Sequence, residues 1–198
     1  PKEGTLPEGW ENIRLGDLVN VRYGKSLAKA HRSDSGKFPV VGSAGLMTYT
    51  DNALIKEAVI VVGRKGNVGD VQFFKHGVWP IDTVYYFEAP PLLETSYFYM
   101  NLVSKEMKKL DSSTATPSLR REDMERVIVN VPPLSEQHQI VEILEEQLGR
   151  LDAALENVRV VKEKAAQFRR SLLHSAFNGT LTGHTPKEGT LPEGWEIR

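Results

Sequence analysis

Residues 135–178 read SEQHQIVEILEEQLGRLDAALENVRVVKEKAAQFRRSLLHSAFN, the longest uninterrupted pattern in this chain of 198 residues. The stretch has no proline and one glycine, Gly149. Ser135 is a candidate N-cap, and Asn178-Gly179 is a stop signal, because glycine suits the left-handed conformation after a helix. We therefore predict one continuous helix, about 60 Å long at 1.5 Å per residue.

Apolar residues recur along this predicted helix at heptad spacing, with Glu, Gln, Arg and Lys around them. Such a seam is typical of a coiled coil. It weakens in the second half, where Lys162 and Arg169 occupy seam positions and Val161, Phe168 and Leu173 carry apolar character on an adjacent face. The residues that we expect at the dimerisation seam are Val141, Leu144, Leu148, Leu151, Leu155 and Val158.

The long helix needs a partner for its seam. A single helix cannot bury its own stripe, and the sequence predicts no second helix of similar length. Packing along its own globular domain is the alternative. A domain of about 130 residues is expected to be well short of 60 Å across, however, so we predict pairing with a helix of another molecule.

The residues before the helix have a β texture, with short runs of β-branched and aromatic residues bounded by Gly, Pro and Asn. Pro132-Pro133 closes this region. We predict helices at 95–110 and from about Ser118, and strands within 38–43, 59–66, 69–74, 83–88 and 127–132. The expected fold class is α+β: a β-rich mixed domain (1–133), one long coiled-coil helix (134–179) and a C-terminal segment (180–198).

The C-terminal segment repeats the start of the chain. PKEGTLPEGWE occurs at residues 1–11 and again, letter for letter, at 186–196. An offset of 185 residues is the length of a whole structural unit, which indicates one full repeat followed by the opening of a second. Within the repeat, Trp10 or Trp195 is the expected buried anchor of a docking segment.

Catalysis and metal binding find little support in the sequence. Cysteine is absent, which is compatible with a reducing cytoplasm, and the five histidines show no metal-ligand spacing. There is no Gly-x-Ser-x-Gly elbow, and a nuclease site built from Glu57, Asp70 and Lys75 has only common spacings in its favour. We expect no enzyme, no cofactor, no metal, no signal peptide and no membrane span, and a cytoplasmic protein.

Three features are compatible with DNA binding, although the net charge is only -1. A local excess of cations between Arg22 and Lys37 forms either a phosphate-binding patch or a solvated loop. The run GRKGNVG at 63–69 predicts a hairpin turn that offers two cations, or a turn without function. The segment 112–121, SSTATPSLRR, is either an anion-binding helix start or an ordinary capped loop.

Several segments together resemble the specificity subunits of Type I restriction–modification systems. LPEGW opens the chain, and SLLHSAFNGTLTG at 171–183 resembles the family's usual helix end. WPIDT and PPLSEQ are specific in combination, whereas the GRKG turn alone is not. The other matching segments, in chain order, are GSAGLMTYTD (42–51), GRKGNVGDV (63–71), WPIDTVYYF (79–87), TPSLRRED (116–123) and VPPLSEQHQIVEIL (131–144).

The resemblance implies a non-catalytic target-recognition domain that reads one half of a bipartite DNA site. Full subunits have two such domains and two antiparallel helices, and they dock methyltransferase and motor–nuclease subunits. This chain has one of each, so two copies are expected to form the complete arrangement and read a palindromic, interrupted site. The alternative is an assembly or decoy protein that pairs with a full specificity subunit and does not read DNA.

The resemblance also implies which loops face the duplex. We expect Arg64, Lys65 and Asn67 to lie nearest the base edges, because arginine and asparagine can make bidentate contacts with guanine and adenine. The full set of expected DNA-binding residues is Lys25, Ser43, Tyr49, Arg64, Lys65, Asn67, Thr116 and Ser118.

Overall fold

The computed structural model describes residues 6–111, 117–183 and 194. The chain divides into two compact units, Pro1–Glu142 and Ile143–Arg198. The first unit contains all nine strands of the described chain, and the second contains most of one long helix. The α+β fold with a β-rich N-terminal domain and a long C-terminal helix is confirmed.

The first unit is built on three small sheets. A four-stranded sheet has the order β2-β8-β5-β6, a three-stranded sheet has the order β4-β3-β7, and β1 pairs with β9. The strands are β1 (Glu11–Arg14), β2 (Arg22–Tyr23), β3 (Phe38–Gly42), β4 (Gly45–Thr50), β5 (Val59–Gly63), β6 (Val71–Phe74), β7 (Trp79–Pro80), β8 (Val84–Phe87) and β9 (Ile128–Val131). Each of the five predicted strands is present, trimmed by one to three residues.

Strand β5 lies at the centre of the domain, and both of its faces are buried. Ile60 and Val62 pack into the larger core cluster, with the helices, whereas Val59 and Val61 pack into a second cluster. The period of two along a strand places alternate residues on opposite faces, so the continuous run VIVV fits a sheet covered on both sides. This burial fixes the start of the loop that follows Gly63.

Helix α1 spans Leu15–Leu18, α2 Thr95–Val103, α3 Arg121–Glu125 and α4 Leu134–Phe177. Two predicted helix bounds were wrong. The helix expected at 95–110 ends at Val103, because Glu106 adopts a left-handed conformation (φ 47°) and a separate 3₁₀ turn then covers Met107–Leu110. The helix expected from Ser118 begins only at Arg121, because Ser118 lies in extended pairing with Lys65.

The first turns of α4 are locked into the domain through Gln137. This side chain is fully buried; its amide donates to the carbonyls of Leu92 (3.0 Å) and Pro132 (2.9 Å) and accepts from the amide of Glu94 (2.8 Å). Ser135, the expected N-cap, lies inside the first turn instead, because the helix begins at Leu134. The PPLSEQ segment is therefore tied to the segment that precedes α2.

The repeated N-terminal segment also docks at the start of α4. The Trp10 indole is half-buried and donates to Glu136 Oε2 at 3.0 Å, and Gly9 (φ 80°) lies against Pro133. Trp10 is thus an anchor, although not a fully buried one. Trp195, its counterpart, lies outside the described residues.

Beyond Glu142, helix α4 runs without interruption to Phe177. Gly179 follows in the left-handed conformation (φ 81°), as the stop signal predicts. None of the described helices is long and apolar enough to cross a bilayer.

Candidate nucleic-acid interface

The loop between β5 and β6 is a tight turn that presents Arg64, Lys65 and Asn67. The two strands pair antiparallel, from Val59 opposite Phe74 to Val62 opposite Val71, which confirms the predicted hairpin. The amide of Gly69 donates to the carbonyl of Gly63 at 2.8 Å and closes the turn. A side chain at Gly63 would place its Cβ 1.9 Å from the Asn67 carbonyl oxygen, so the turn depends on this glycine.

A second segment of the chain holds this turn in place. The amide of Leu119 donates to the carbonyl of Arg64 at 2.8 Å, and that of Gly66 donates to Pro117 at 3.2 Å. Between these bonds, Lys65 and Ser118 form an antiparallel bridge. The GRKG turn and the PSLRR segment, which are far apart in the chain, therefore form one surface.

The Pro80–Thr83 loop is the hub that gathers the remaining elements. The Thr83 carbonyl accepts from the amides of Arg64 (2.9 Å) and Lys65 (3.2 Å), and the Pro80 carbonyl accepts from the amide of Lys25 (2.9 Å). The Thr83 hydroxyl oxygen also accepts from the amide of Ser43 at 3.3 Å. Four of the residues expected at DNA are thus positioned by one loop of the WPIDT motif.

Ser43 lies in the tight turn between β3 and β4, beside the GRKG turn. A Cβ added at Gly66 would lie 3.4 Å from Ser43 Oγ, so the two turns adjoin at their tips. Ser43 itself is 9% exposed, and Leu46 and Met47, at the start of β4, are 56% and 53% exposed. This part of the surface is therefore apolar rather than cationic.

One of the expected residues, Tyr49, is not brought to this surface by the described contacts. Tyr49 pairs through its backbone with Ser33, at 2.9 Å in both directions, near the far end of β4. Four residues of extended strand separate it from Gly45, or about 13 Å. Thr116 lies outside the described residues.

The side chain of Arg64 is held in place rather than extended. Its Nη2 donates to the Asp82 carbonyl at 2.9 Å, and its guanidinium lies 5.2 Å from the ring centre of Tyr23 and 5.9 Å from that of Tyr85. Its Nε is buried and has no partner among the described residues. Lys65 and Asn67, in contrast, are exposed.

Tyr85 fixes the floor beneath Arg64. Its buried hydroxyl donates to the Leu119 carbonyl at 3.0 Å. Burial, together with the neighbouring Tyr23 hydroxyl, raises the pKa of Tyr85 to about 12. The phenol therefore stays a neutral donor at physiological pH, and it ties the PSLRR segment to the central sheet.

Sequence reasoning missed Tyr23, Asp82 and Thr83 as parts of this surface. Tyr23 is 51% exposed and packs against Tyr85 at 5.1 Å between ring centres. The WPIDT motif, a marker of the family resemblance, was the one available signal for Asp82 and Thr83. Nothing in the sequence around Tyr23 distinguished it from an ordinary strand residue.

The basic stretch between Arg22 and Lys37 is only partly available for phosphates. Arg22 pairs with Glu88 at 2.9 Å, and Arg32 donates twice to the Leu27 carbonyl. Lys25 is exposed and joins the hub through its backbone. In the described chain, no group of three or more acidic or histidine side chains could hold a metal ion.

The helix α4 presents the second candidate surface. Five of the six seam residues are exposed, from 37% at Leu144 to 66% at Val158. Val141, the first of the seam, is instead half-buried and packs against the large core cluster of the domain. The seam available to a partner therefore begins at Leu144.

Charge is distributed unevenly along α4. Between 134 and 156 it carries six carboxylates and one cation, whereas between 157 and 177 it carries five cations and one carboxylate. Some of these form ion pairs within the helix, such as Arg150 with Glu146 and Arg159 with both Glu156 and Glu163. The first half remains strongly acidic and the second half strongly basic.

Comparison with known proteins connects these surfaces to a family. The family model described as "Type I restriction modification DNA specificity domain" matches residues 7–160. The chain is 25% identical over 192 residues to the Type I restriction enzyme EcoDI specificity subunit of Escherichia coli, covering 96% of this chain and 42% of the relative. It is 21% identical over 205 residues to the MjaVIII specificity subunit of Methanocaldococcus jannaschii, covering 97% of this chain and 48% of the relative.

Solved structures agree on the fold. The Type I specificity subunit from M. genitalium gives a TM-score of 0.64 at 21% identity, covering 87% of this chain and 47% of that one. A chain of a solved type I R-M system gives 0.72 at 20% identity, covering 89% and 48%. This chain thus spans about half the length of the relatives it matches. It belongs to the Type I restriction–modification DNA specificity domain family, whose members supply DNA recognition and no catalytic step.

Proposed function

We propose that this chain is a half-sized specificity subunit that pairs with a second copy of itself through α4 and reads one half of a split DNA site. The observation that carries the proposal is the exposed apolar seam from Leu144 to Val158 on a helix whose two halves have opposite charge. A partner helix would cover the seam, and the charges select its direction.

The charge distribution favours an antiparallel partner. In a parallel pair, six carboxylates of one chain would face six of the other, and like charges across a coiled coil are destabilising. In an antiparallel pair, the acidic half of each helix faces the basic half of its partner. In the basic half, four cations form no ion pair among the described residues: Lys162, Lys164, Arg169 and Arg170. A second copy of this chain therefore suits both the seam and the charges.

DNA recognition is supported by the surface around the GRKG turn. Lys65 and Asn67 are exposed on a rigid turn, and Lys25 lies exposed beside the same hub. Rigid presentation favours base reading, since a preorganised side chain loses little conformational freedom on binding. We propose that Lys25, Ser43, Lys65, Asn67 and Ser118 lie against the duplex, with Tyr49 at the edge of this surface. Thr116 stays a predicted DNA contact.

Two-fold pairing determines the form of the DNA site. Two identical readers related by a dyad recognise an inverted repeat, and the helix pair sets the gap between the half-sites. Methyltransferase subunits, and with them motor–nuclease subunits, are the proposed protein partners, and these bring the catalytic cofactors. The complex would act on the cell's DNA in the cytoplasm.

Spin-label distances test the pairing and its direction together. The chain lacks cysteine, so Ala153→Cys and Gln167→Cys each give one label on the helix face opposite the seam. In an antiparallel pair whose two-fold axis passes through the midpoint of α4, the two Gln167 labels should be offset by about 35 Å along the helix axis. The two Ala153 labels should be offset by about 8 Å.

One other outcome would contradict the proposal, and another would support its alternative. Equal, short distances at both positions would indicate a parallel pair and contradict the proposal. A monomeric mass by light scattering, together with dimerisation only when a full-length specificity subunit is added, would support the decoy or assembly alternative instead.

A further inference from the structure

A pocket on the surface of the described domain is lined by three arginines and two tyrosines. Membership of the specificity family does not by itself assign a role to this pocket. Its volume is about 290 Å³, and it opens between β2, β8, the GRKG turn and the start of α3. The lining includes Arg64, Arg120 and Arg121 against one carboxylate, Glu122. The aromatic members are Tyr23 and Tyr85.

We propose that this pocket binds one phosphate of the DNA backbone, and that Arg64 acts there as a backbone clamp and not as a base reader. The inference rests on the proposed DNA-binding function and deepens it. It differs from the expectation that Arg64 lies nearest the base edges. The guanidinium is already engaged by the Asp82 carbonyl and by two tyrosine rings, so it cannot extend into a groove without breaking those contacts.

The chemistry of the pocket suits a phosphate group. Arginine presents several fixed N–H donors that match phosphate oxygens, and stacking on aromatic rings orders the guanidinium in advance. Arg64 Nη2 and Nε face the domain, which leaves its Nη1 edge for a ligand. Arg120 is exposed and takes part in no ion pair among the described residues, so its charge adds to that of Arg64.

The remaining residues position these two cations. Arg121 is paired with Glu125 at 2.6 Å and contacts Asn20, so it contributes mainly to the local potential. The Leu119 amide donates to the Arg64 carbonyl, and the Tyr85 hydroxyl donates to the Leu119 carbonyl. These two bonds keep the segment of Leu119 at a fixed distance from Arg64 and Tyr85. A rigid, cationic pocket beside the exposed GRKG turn would hold the backbone while the turn reads bases.

The test is a salt titration of DNA binding by the full chain together with its methyltransferase subunit. A phosphate contact contributes about 0.9 to the slope of log K against log[salt], which corresponds to roughly eightfold in affinity at 0.1 M salt. Arg120→Ala should lower the slope by about that amount and weaken specific and non-specific DNA to the same degree. Arg126→Ala is the matched control, since Arg126 is an exposed cation of the same region outside the pocket.

Arg64→Lys gives the second arm, because it keeps the charge but loses the planar fork. We expect an equal loss on both kinds of DNA; a loss confined to the specific site would return Arg64 to base reading and overturn the assignment. An Arg120→Ala slope equal to that of wild type would also overturn it. If inorganic phosphate raised the melting temperature of wild type but not of Arg120→Ala, while both proteins gave the same salt slope with DNA, the ligand would be a free anion and not the duplex. Absence of any duplex binding by wild type would instead refute the proposed function itself.

Discussion

The recognition domain and the helix beyond Glu142 differ in how they satisfy their apolar residues. In the domain, both faces of β5 are buried, and even the polar Gln137 is fully enclosed and hydrogen-bonded. Along the helix, large apolar side chains such as Leu151, Leu155 and Val158 are more than half exposed. The domain buries its apolar residues within one chain, whereas the helix leaves its seam exposed, and under the proposed pairing a partner covers it.

This difference separates two kinds of free energy. The domain's stability is expected to be independent of protein concentration, because its contacts are intramolecular. Any stability that comes from the helix seam depends on a second molecule and therefore on concentration. Substitutions in the two regions should thus differ in the size of their effect on stability and in whether that effect depends on protein concentration.

The largest expected effect comes from a charge in the middle of the seam. Leu151→Lys removes a seam leucine from each chain of the pair and should cost about 3 kcal/mol per chain, or roughly four orders of magnitude in the dimer dissociation constant. Light scattering should give the mass of a monomer. Ala153→Lys, on the opposite face of the same turn, is the control and should remain dimeric; an unchanged mass for Leu151→Lys would contradict the pairing.

Gln137→Leu should destabilise the domain itself. The substitution removes the side-chain partner of the Glu94 amide and of the Leu92 and Pro132 carbonyls, at a cost of about 3–5 kcal/mol. Urea unfolding should show this loss at every protein concentration. Gln139→Leu, at an exposed position of the same helix, should be close to neutral. A concentration-dependent loss for Gln137→Leu would remove the distinction between the two regions.

Asn67→Ala should change DNA discrimination without changing either fold or mass. Asn67 is exposed, so we expect little effect on unfolding, but a lost base contact should cost about 1–3 kcal/mol on the recognised site. Competition binding against non-specific DNA measures this directly. Equal weakening on both DNAs would make Asn67 a backbone contact.

Tyr85→Phe should give the smallest effect, about 1 kcal/mol at neutral pH, from the lost bond to the Leu119 carbonyl. The folded protein holds the phenol proton more tightly than the unfolded chain, because the pKa is raised from 10.0 to about 12. This contribution is therefore present below pH 10 and lost as the pH rises towards 12. Urea unfolding from about pH 7 to about pH 11 should show a steeper alkaline decline for wild type than for the variant; parallel curves would contradict this role.

The sequence predicted those features that depend on local patterns. The heptad seam, the Gly179 stop and the β5–β6 hairpin all follow from spacing and turn chemistry within a few residues. The end of α2 was missed because only the positive φ of Glu106 marks it, and a glutamate gives no sign of that conformation. The N-cap predicted at Ser135 was wrong because the helix begins at Leu134, and the amides of Glu136 and Gln137 donate to the Pro133 carbonyl.

The candidate site was predictable in its parts but not in its assembly. The exposed turn with Lys65 and Asn67 could be found from the glycines around it. The fixed position of Arg64 could not, since it depends on Asp82, Tyr23 and Tyr85, which come from two other strands and the hub loop. Long-range contacts of this kind leave no periodic signal in a single sequence.

Selection of bound duplexes from a random DNA library, with the chain and its methyltransferase subunit present, tests the central claim most directly. Two identical domains joined by an antiparallel helix pair should enrich one half-site in two inverted copies, separated by a gap of constant length. Enrichment of a single undivided half-site, or of two unrelated half-sites, would contradict the paired arrangement.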